Sequence, residues 1–248
     1  MTASEVNADS GLELAEVVGQ IVALKRFPIE PLGGEAPNEI AVRADGPVGD
    51  RIYEIVGSDG APLAWRTAPE LLRYSVRFLE ALVVEDLESW ARVKAPDGRE
   101  FAMTDPAWLG DIAQRLGREV SLRRAAVGGS QRSLHLISRS TLRFVERVYG
   151  MPLEPLWLRA NFVIELAGGK AFEEDDWAGR QLRIGDTLCE VLGSSHGCLA
   201  TTLPPEKSGG DLSMVDGLLK VRGGSLGVEL RASRGQRIRL ADPVCLVD

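Results

Sequence analysis

Gly179-Arg180-Gln181-Leu182-Arg183-Ile184-Gly185-Asp186-Thr187-Leu188-Cys189-Glu190-Val191-Leu192 is the stretch on which the fold turns. It holds two short strand candidates, 181–184 and 187–192, separated by Gly185-Asp186. Just beyond lies Ser194-Ser195-His196-Gly197-Cys198-Leu199-Ala200-Thr201-Thr202, a small, polar stretch. A core cysteine belongs inside an apolar run, as Cys189 does. Cys198 instead sits past the end of one, beside an imidazole and followed by two hydroxyls. A thiolate is both a nucleophile and a soft metal ligand, so Cys198 is the first candidate for chemistry.

Working outward, the same short-strand pattern recurs on both sides. Strand candidates are 17–24, closed by Pro28 and Pro31, then 39–42 and 51–56, then 161–166, 226–231 and 236–240. Ala95-Pro96-Asp97-Gly98-Arg99-Glu100 signals a hairpin turn. Two helices are readable. The first has Asp105 as N-cap, Pro106 at its first position and Gly117 at its end, with Trp108, Leu109, Ile112, Ala113 and Leu116 on one face. The second runs from about Ser140 to Tyr149. The sequence predicts a mostly β fold with a few helices (α+β), of barrel or sandwich type. Residues 1–16 read as a disordered tail.

Composition narrows the function. With 248 residues, 44% of them hydrophobic, the chain can bury a sizeable core. A formal net charge of −7 argues against a nucleic-acid partner. No apolar run approaches a membrane span, and the polar, acidic N-terminus lacks a signal pattern, so a cytoplasmic protein without membrane attachment is expected. Three cysteines and two histidines, with no paired metal motif, make a disulfide framework or a side-chain zinc cage improbable.

Polar residues stand out of place in four segments: Gly49-Asp50-Arg51, Ser138-Arg139-Ser140, Arg159-Ala160-Asn161, and Cys198 with Thr201 and Thr202. Arginines at strand edges and a helix N-terminus suit phosphate, and a thiolate suits a soft metal. Each also has a plainer reading. Ser138 and Ser140 read as helix caps, Arg51 and Arg159 as surface or ion-paired arginines, and Cys198 as a structural or incidental thiol. His196 reads as a solvated loop residue or a base. Glu173-Glu174-Asp175-Asp176 reads as a solvated loop, Cys189 and Cys245 as core, and His135 as a core or strand histidine.

Taken in order, these segments resemble the MOSC family, named for the C-terminal domain of molybdenum cofactor sulfurase. The resemblance includes the N-terminal β-domain that accompanies the catalytic domain in the amidoxime-reducing branch. The family's Gly-Arg-x-Leu-Arg-Ile-Gly pattern stands here at 179–185, and its acidic-Trp segment at 172–177. Its Gly-Asp-Arg motif is Gly49-Asp50-Arg51. Its Leu-Ile-Ser-x-x-Ser-like and Arg-Phe-Arg-Pro-Asn segments fall on 136–140 and 157–161. The family cysteine falls on Cys198, followed by Thr201 and Thr202. The resemblance implies an N-terminal MOSC-associated β-domain at 17–100 and a MOSC domain at 101–248.

It also implies a molybdenum cofactor (molybdopterin). Cys198 would be the metal ligand and, with His196, a catalytic residue. Arg51, Ser138, Ser140, Arg159, Asn161 and Thr201 would hold the pterin and its phosphate. The implied activity is reduction of a small-molecule substrate carrying an N-hydroxyl or S-oxide group. No flavin, haem or iron–sulfur motif occurs in the chain, so electrons are expected from an external electron-transfer protein of one of those types.

Two segments depart from the pattern. The family's Lys-Ser is Glu30-Pro31 here, and the Arg before the cysteine is Gly197. A carboxylate beside a phosphate repels it by ~1–4 kcal/mol, and proline lacks an N–H to donate. Lys25 and Arg26 are the nearest cations able to compensate. These departures keep two other classes in play: a sulfur carrier or cofactor-delivery protein using a Cys198 persulfide, and a relative that has lost or changed its cofactor.

Overall fold

The computed structural model describes residues 15–64, 67–79, 91–125, 133–149, 158–195 and 222–247. The strands in chain order are β1 (Glu16–Leu24), β2 (Ile29–Glu30), β3 (Glu39–Arg43), β4 (Gly46–Pro47), β5 (Tyr53–Gly57), β6 (Ser75–Phe78), β7 (Ala91–Lys94) and β8 (Glu100–Ala102). Beyond the first helix come β9 (Val120–Arg124), β10 (Leu134–Ser138), β11 (Phe162–Leu166), β12 (Gln181–Ile184), β13 (Thr187–Ser194), β14 (Val228–Arg234), β15 (Arg237–Arg239) and β16 (Pro243–Val247). The helices are α1 (Ala107–Leu116) and α2 (Arg139–Tyr149). The α+β reading therefore holds, and the architecture is a barrel.

Seven strands close that barrel in the order β1-β11-β10-β14-β13-β12-β16, with β16 returning to β1. The opening sequence stretch supplies its β12–β13 hairpin, in register Leu182↔Cys189 and Ile184↔Thr187. Side chains alternate as a strand demands: Leu182 and Ile184 are buried while Gln181 and Arg183 face out. Gly185 turns the hairpin at φ +54, where a Cβ would also come within 2.6 Å of the Asp242 carboxylate. Ile21, Leu24, Leu136, Ile164, Val191, Leu230 and Leu246 fill the interior, each contributing ~1.5–3 kcal/mol on burial.

β10 and β11 run parallel, and the connection between them carries α2 on the barrel's flank. Ile137, Leu142, Val145, Leu158 and Val163 form the core beneath that helix. A third core lies under α1, where Trp108 and Ile112 pack on the sheets β2-β5-β9 and β6-β7-β8. The indole N–H of Trp108 donates to the Met103 carbonyl at 3.0 Å. The N- and C-terminal halves share sheets: β1 closes the barrel between β11 and β16, and β3 pairs with β15.

Two local expectations change. α1 begins at Ala107 with Pro106 as the cap residue, one position later than expected, while the Asp105 carboxylate accepts the Ala107 N–H at 2.9 Å. The acidic run is not a solvated loop. It forms a 3-10 helix, Glu173–Trp177, with Glu174 and Trp177 buried, and the Glu174 carboxylate accepts the Ser138 N–H at 3.0 Å. The buried indole of Trp177 sets which face of this short helix turns inward, and Glu174 shares it. Among the described residues, no helix is long and apolar enough to cross a membrane.

Candidate functional site

The candidate site is built on the loop Val48-Gly49-Asp50-Arg51, just before β5. Asp50 has no exposed surface. Its Oδ1 accepts the Phe27 N–H at 2.6 Å, and the Arg51 N–H returns a bond to the Phe27 carbonyl at 2.8 Å. The segment after β1 is thereby stitched to the Gly-Asp-Arg loop. The other Asp50 oxygen, Oδ2, pairs with Arg51 Nη1 and accepts Asn161 Nδ2 at 3.2 Å. A buried carboxylate satisfied on both oxygens is held in one geometry, and it holds its partners there too.

Arg159 and Asn161 come from the approach to β11. Asn161 is fully buried and reaches three elements at once. Its Oδ1 accepts the His135 N–H at 3.2 Å and faces Arg51 Nη1 at 3.5 Å, while its Nδ2 also donates to the Lys25 carbonyl at 3.3 Å. Arg159 offers its carbonyl to Arg51 Nη2 at 2.9 Å and donates from Nη1 to the Leu32 carbonyl at 3.0 Å. Both guanidinium groups lie against the Phe27 ring, at 4.3 Å for Arg159 and 5.7 Å for Arg51. Arg51 and Arg159 share a further feature. Their backbones are left-handed, at φ +48 and φ +49, a conformation that costs a non-glycine residue ~1–3 kcal/mol.

Glu30 completes the cluster. Its Oε1 sits 3.2 Å from Arg51 Nε and 3.4 Å from Arg159 Nε. The peptide bond that follows it, to Pro31, is cis. This carboxylate shows what the arginine pair accepts, an oxyanion held between two guanidinium edges. The donor set thus suits the anionic end of a phosphorylated cofactor. Two guanidinium groups face two carboxylates, Asp50 and Glu30, so the formal charge of these four groups cancels. Arg26 does not restore the balance: its guanidinium is buried against Glu35, Phe78 and the Val48 carbonyl.

His135 lies behind the pair, buried in β10 as a strand histidine. Its Nδ1 is 3.1 Å from the Leu158 carbonyl and its Nε2 is 2.8 Å from the Leu226 carbonyl. Burial, aided by the Arg51 charge, pushes its pKa below the ordinary histidine value, although both carbonyls pull the other way. His135 therefore ties the chain before Arg159 to the chain before β14. Ser195 joins this end of the barrel, donating its N–H to the Gly227 carbonyl at 2.9 Å. Ser195 is the last described residue before the segment that contains Cys198.

The sequence-predicted residues fall into three groups. Arg51, Arg159 and Asn161 are brought together. Ser138 takes its plainer role: its hydroxyl bonds Thr141 Oγ1 at 2.9 Å and accepts the Thr141 N–H at 3.0 Å, capping α2. Ser140 lies half-buried in the first turn of that helix. Cys198, His196 and Thr201, with Gly197 and Thr202, lie outside the described residues. Cys189 and Cys245 are core residues, and burial pushes the Cys189 thiol up to about 12, which makes it inert.

Asp50, Phe27 and His135 belong to the cluster but were not singled out for it. Asp50 was inside the quoted motif and could have been found there. Phe27 and His135 carry no local signal, because chain crossings bring them in. Among the described residues, no three His, Cys, Asp or Glu side chains group as a metal site.

Comparison with known proteins follows the same outline. The MOSC domain profile matches residues 123–245, and that of the MOSC N-terminal beta barrel domain matches residues 18–111. No curated protein matches the chain. The crystal structure of the YuaD protein from Bacillus subtilis is similar in fold, with a TM-score of 0.50 at 12% identity over 92% of this chain and 95% of that one. YiiM from Geobacillus stearothermophilus aligns at 19% identity and a TM-score of 0.34, over 46% of this chain and 54% of its own. YiiM from Escherichia coli aligns at 14% identity and a TM-score of 0.33 over the same shares. With both domains matched in order along a chain whose barrel they jointly close, this protein belongs to the MOSC family.

Proposed function

We propose that this MOSC-fold protein is a molybdenum-cofactor-dependent oxidoreductase that reduces N-hydroxylated or S-oxide small molecules. The observation that carries this reading is the arginine pair. Arg51 and Arg159 converge on one carboxylate oxygen from strained backbones, fixed by a buried Asp50–Asn161 frame. In this reading Arg51 and Arg159 bind the anionic end of the pterin. Asp50 and Asn161 orient Arg51, and the Cys198 thiolate ligates the metal. The cofactor, when bound, supplies the two-electron redox centre that the chain itself lacks. The N–O or S–O bond of the substrate is broken, two electrons and two protons are taken up, and the oxygen leaves as water. The electrons come from a separate flavin, iron–sulfur or haem protein. His196, placed two residues before Cys198 in sequence, is the candidate proton donor.

Elemental and pterin-fluorescence analysis of protein from a host that makes the cofactor tests this directly. Near-stoichiometric molybdenum is expected. Cys198→Ala should abolish reductase activity with an unchanged melting temperature. A second reading, cofactor delivery or sulfur transfer, gains weight from the cancelled charge around the pair, since a weak hold suits a carrier. A persulfide on Cys198, seen by mass spectrometry on metal-free protein, would mark that function instead.

A further inference from the structure

The geometry points to Glu30 as an internal anion that occupies the Arg51–Arg159 seat and must leave it before a ligand's phosphate or other oxyanion can bind. This rests on reading the arginine pair as an anion seat. Three observations carry it. First, one oxygen of Glu30 meets both arginines, at 3.2 and 3.4 Å, and meets each at Nε. The Nη groups of Arg51 are engaged by Asp50, Asn161 and the Arg159 carbonyl, and Nη1 of Arg159 by the Leu32 carbonyl. On Arg51 the Nε edge is therefore the face turned to an incoming anion, and Glu30 covers it while also lying against Nε of Arg159.

Second, the two carboxylates of the cluster differ in freedom. The Asp50 side chain is 0% exposed and locked by a backbone N–H and two side chains; that of Glu30 is 46% exposed. An ion pair open to solvent favours its closed form only several-fold, so the carboxylate is displaceable. Third, the backbone of Glu30 is fixed, because β2 pairs in parallel with β5 in register Ile29↔Tyr53 and Glu30↔Glu54. The Glu54 carboxylate is engaged by Arg123 at 2.8 Å. Glu30 can therefore vacate the seat by turning its side chain, with no movement of the sheet.

A seat filled by its own carboxylate lowers the apparent affinity for any competing anion by the fraction of time it is closed. It also selects against weakly held oxyanions, so a ligand must bring further contacts to displace Glu30. Glu30 is thus a specificity-determining residue, and removing its charge should tighten binding of a simple oxyanion.

The test is calorimetric titration of inorganic phosphate into full-length protein from a host lacking cofactor synthesis. Wild type is compared with Glu30→Gln and with Glu30→Gln combined with Arg159→Gln. Glu30→Gln is expected to bind phosphate about fivefold more tightly than wild type, with a steeper salt dependence, and the double variant should lose that gain. Equal affinity of wild type and Glu30→Gln, at matching melting temperatures, overturns the proposal. So does a gain that survives in the double variant. If Glu30→Gln does not fold, Glu30→Ser is read the same way. Because the titration uses metal-free protein, a wild type that never acquires molybdenum would refute the reductase reading and leave this comparison intact.

Discussion

Two of the arginine–carboxylate networks among the described residues have similar composition but are built differently. One joins Tyr74, Asp97, Arg99, Asp111 and Arg115 beside α1. Asp111 accepts the Tyr74 hydroxyl, Arg115 Nε at 2.9 Å and Arg99 Nη2 at 2.5 Å, and Arg99 also bridges to Asp97 at 2.7 Å. Its arginines are partly open to solvent, and none of its members has a positive φ. The other joins Glu30, Asp50, Arg51, Arg159 and Asn161. Here Asp50 and Asn161 are wholly buried and both arginines are left-handed. The first network pins the β7–β8 hairpin and the residue before β6 to α1 using relaxed backbone. The second holds both of its arginines in left-handed backbone, and strain of that kind concentrates at binding and catalytic sites.

The largest effect that sharpens this contrast is expected at Asp50. Asp50→Ala leaves the Phe27 N–H, Asn161 and Arg51 without their buried partner and should cost ~3–5 kcal/mol in denaturant unfolding. A cost smaller than that of Asp111→Ala would break the comparison.

His135 comes next. Its folded pKa lies below its ordinary value of 6.5, so the unfolded chain takes up a proton that the folded chain refuses. The stability it contributes is therefore complete above about pH 6.5 and declines between there and about pH 5.5. His135→Gln should flatten that stretch of the pH–stability curve, read from urea midpoints at the two pH values.

The smallest effect belongs to Asp111. Burial raises its pKa, but the bonds from Tyr74, Arg115 and Arg99 outweigh this and hold it at about 2, below its ordinary 3.8. The stability it adds is complete above about pH 4 and is lost as pH falls through about 2. With screening by solvent, Asp111→Asn should cost on the order of 1 kcal/mol at neutral pH. Tyr74 gives the mirror test: burial and the Asp111 bond raise its pKa, so its contribution holds below pH 10.0 and declines in stronger alkali.

Much of the barrel could be read from the sequence because its strands are bounded by glycine and proline. The 17–24, 181–184 and 187–192 strand candidates correspond to β1, β12 and β13, and Gly117 ends α1 at φ +64. β10, β9 and β16 were harder to see. β10 is buried at every position, from Leu134 to Ser138, so it lacks the two-residue alternation that marks a half-buried strand. The site was legible where it was a motif and opaque where it was a crossing. Arg51, Arg159 and Asn161 could be named from their segments. That Glu30 would sit between both arginines could not, since β2 is two residues long and its position is set by pairing with β5. By resemblance a carboxylate stands where the family carries a cation, and the structure sets that carboxylate between the two guanidinium groups.

The central claim is that the strained network, and not the relaxed one, holds the anionic end of a molybdenum cofactor. Molybdenum and pterin content, measured side by side on wild type, Arg159→Gln and Asp111→Asn from a cofactor-competent host, tests it most directly. The account predicts near-stoichiometric cofactor in wild type and Asp111→Asn, and loss of most of it in Arg159→Gln. Cofactor absent from wild type, or retained in full by Arg159→Gln, would contradict it.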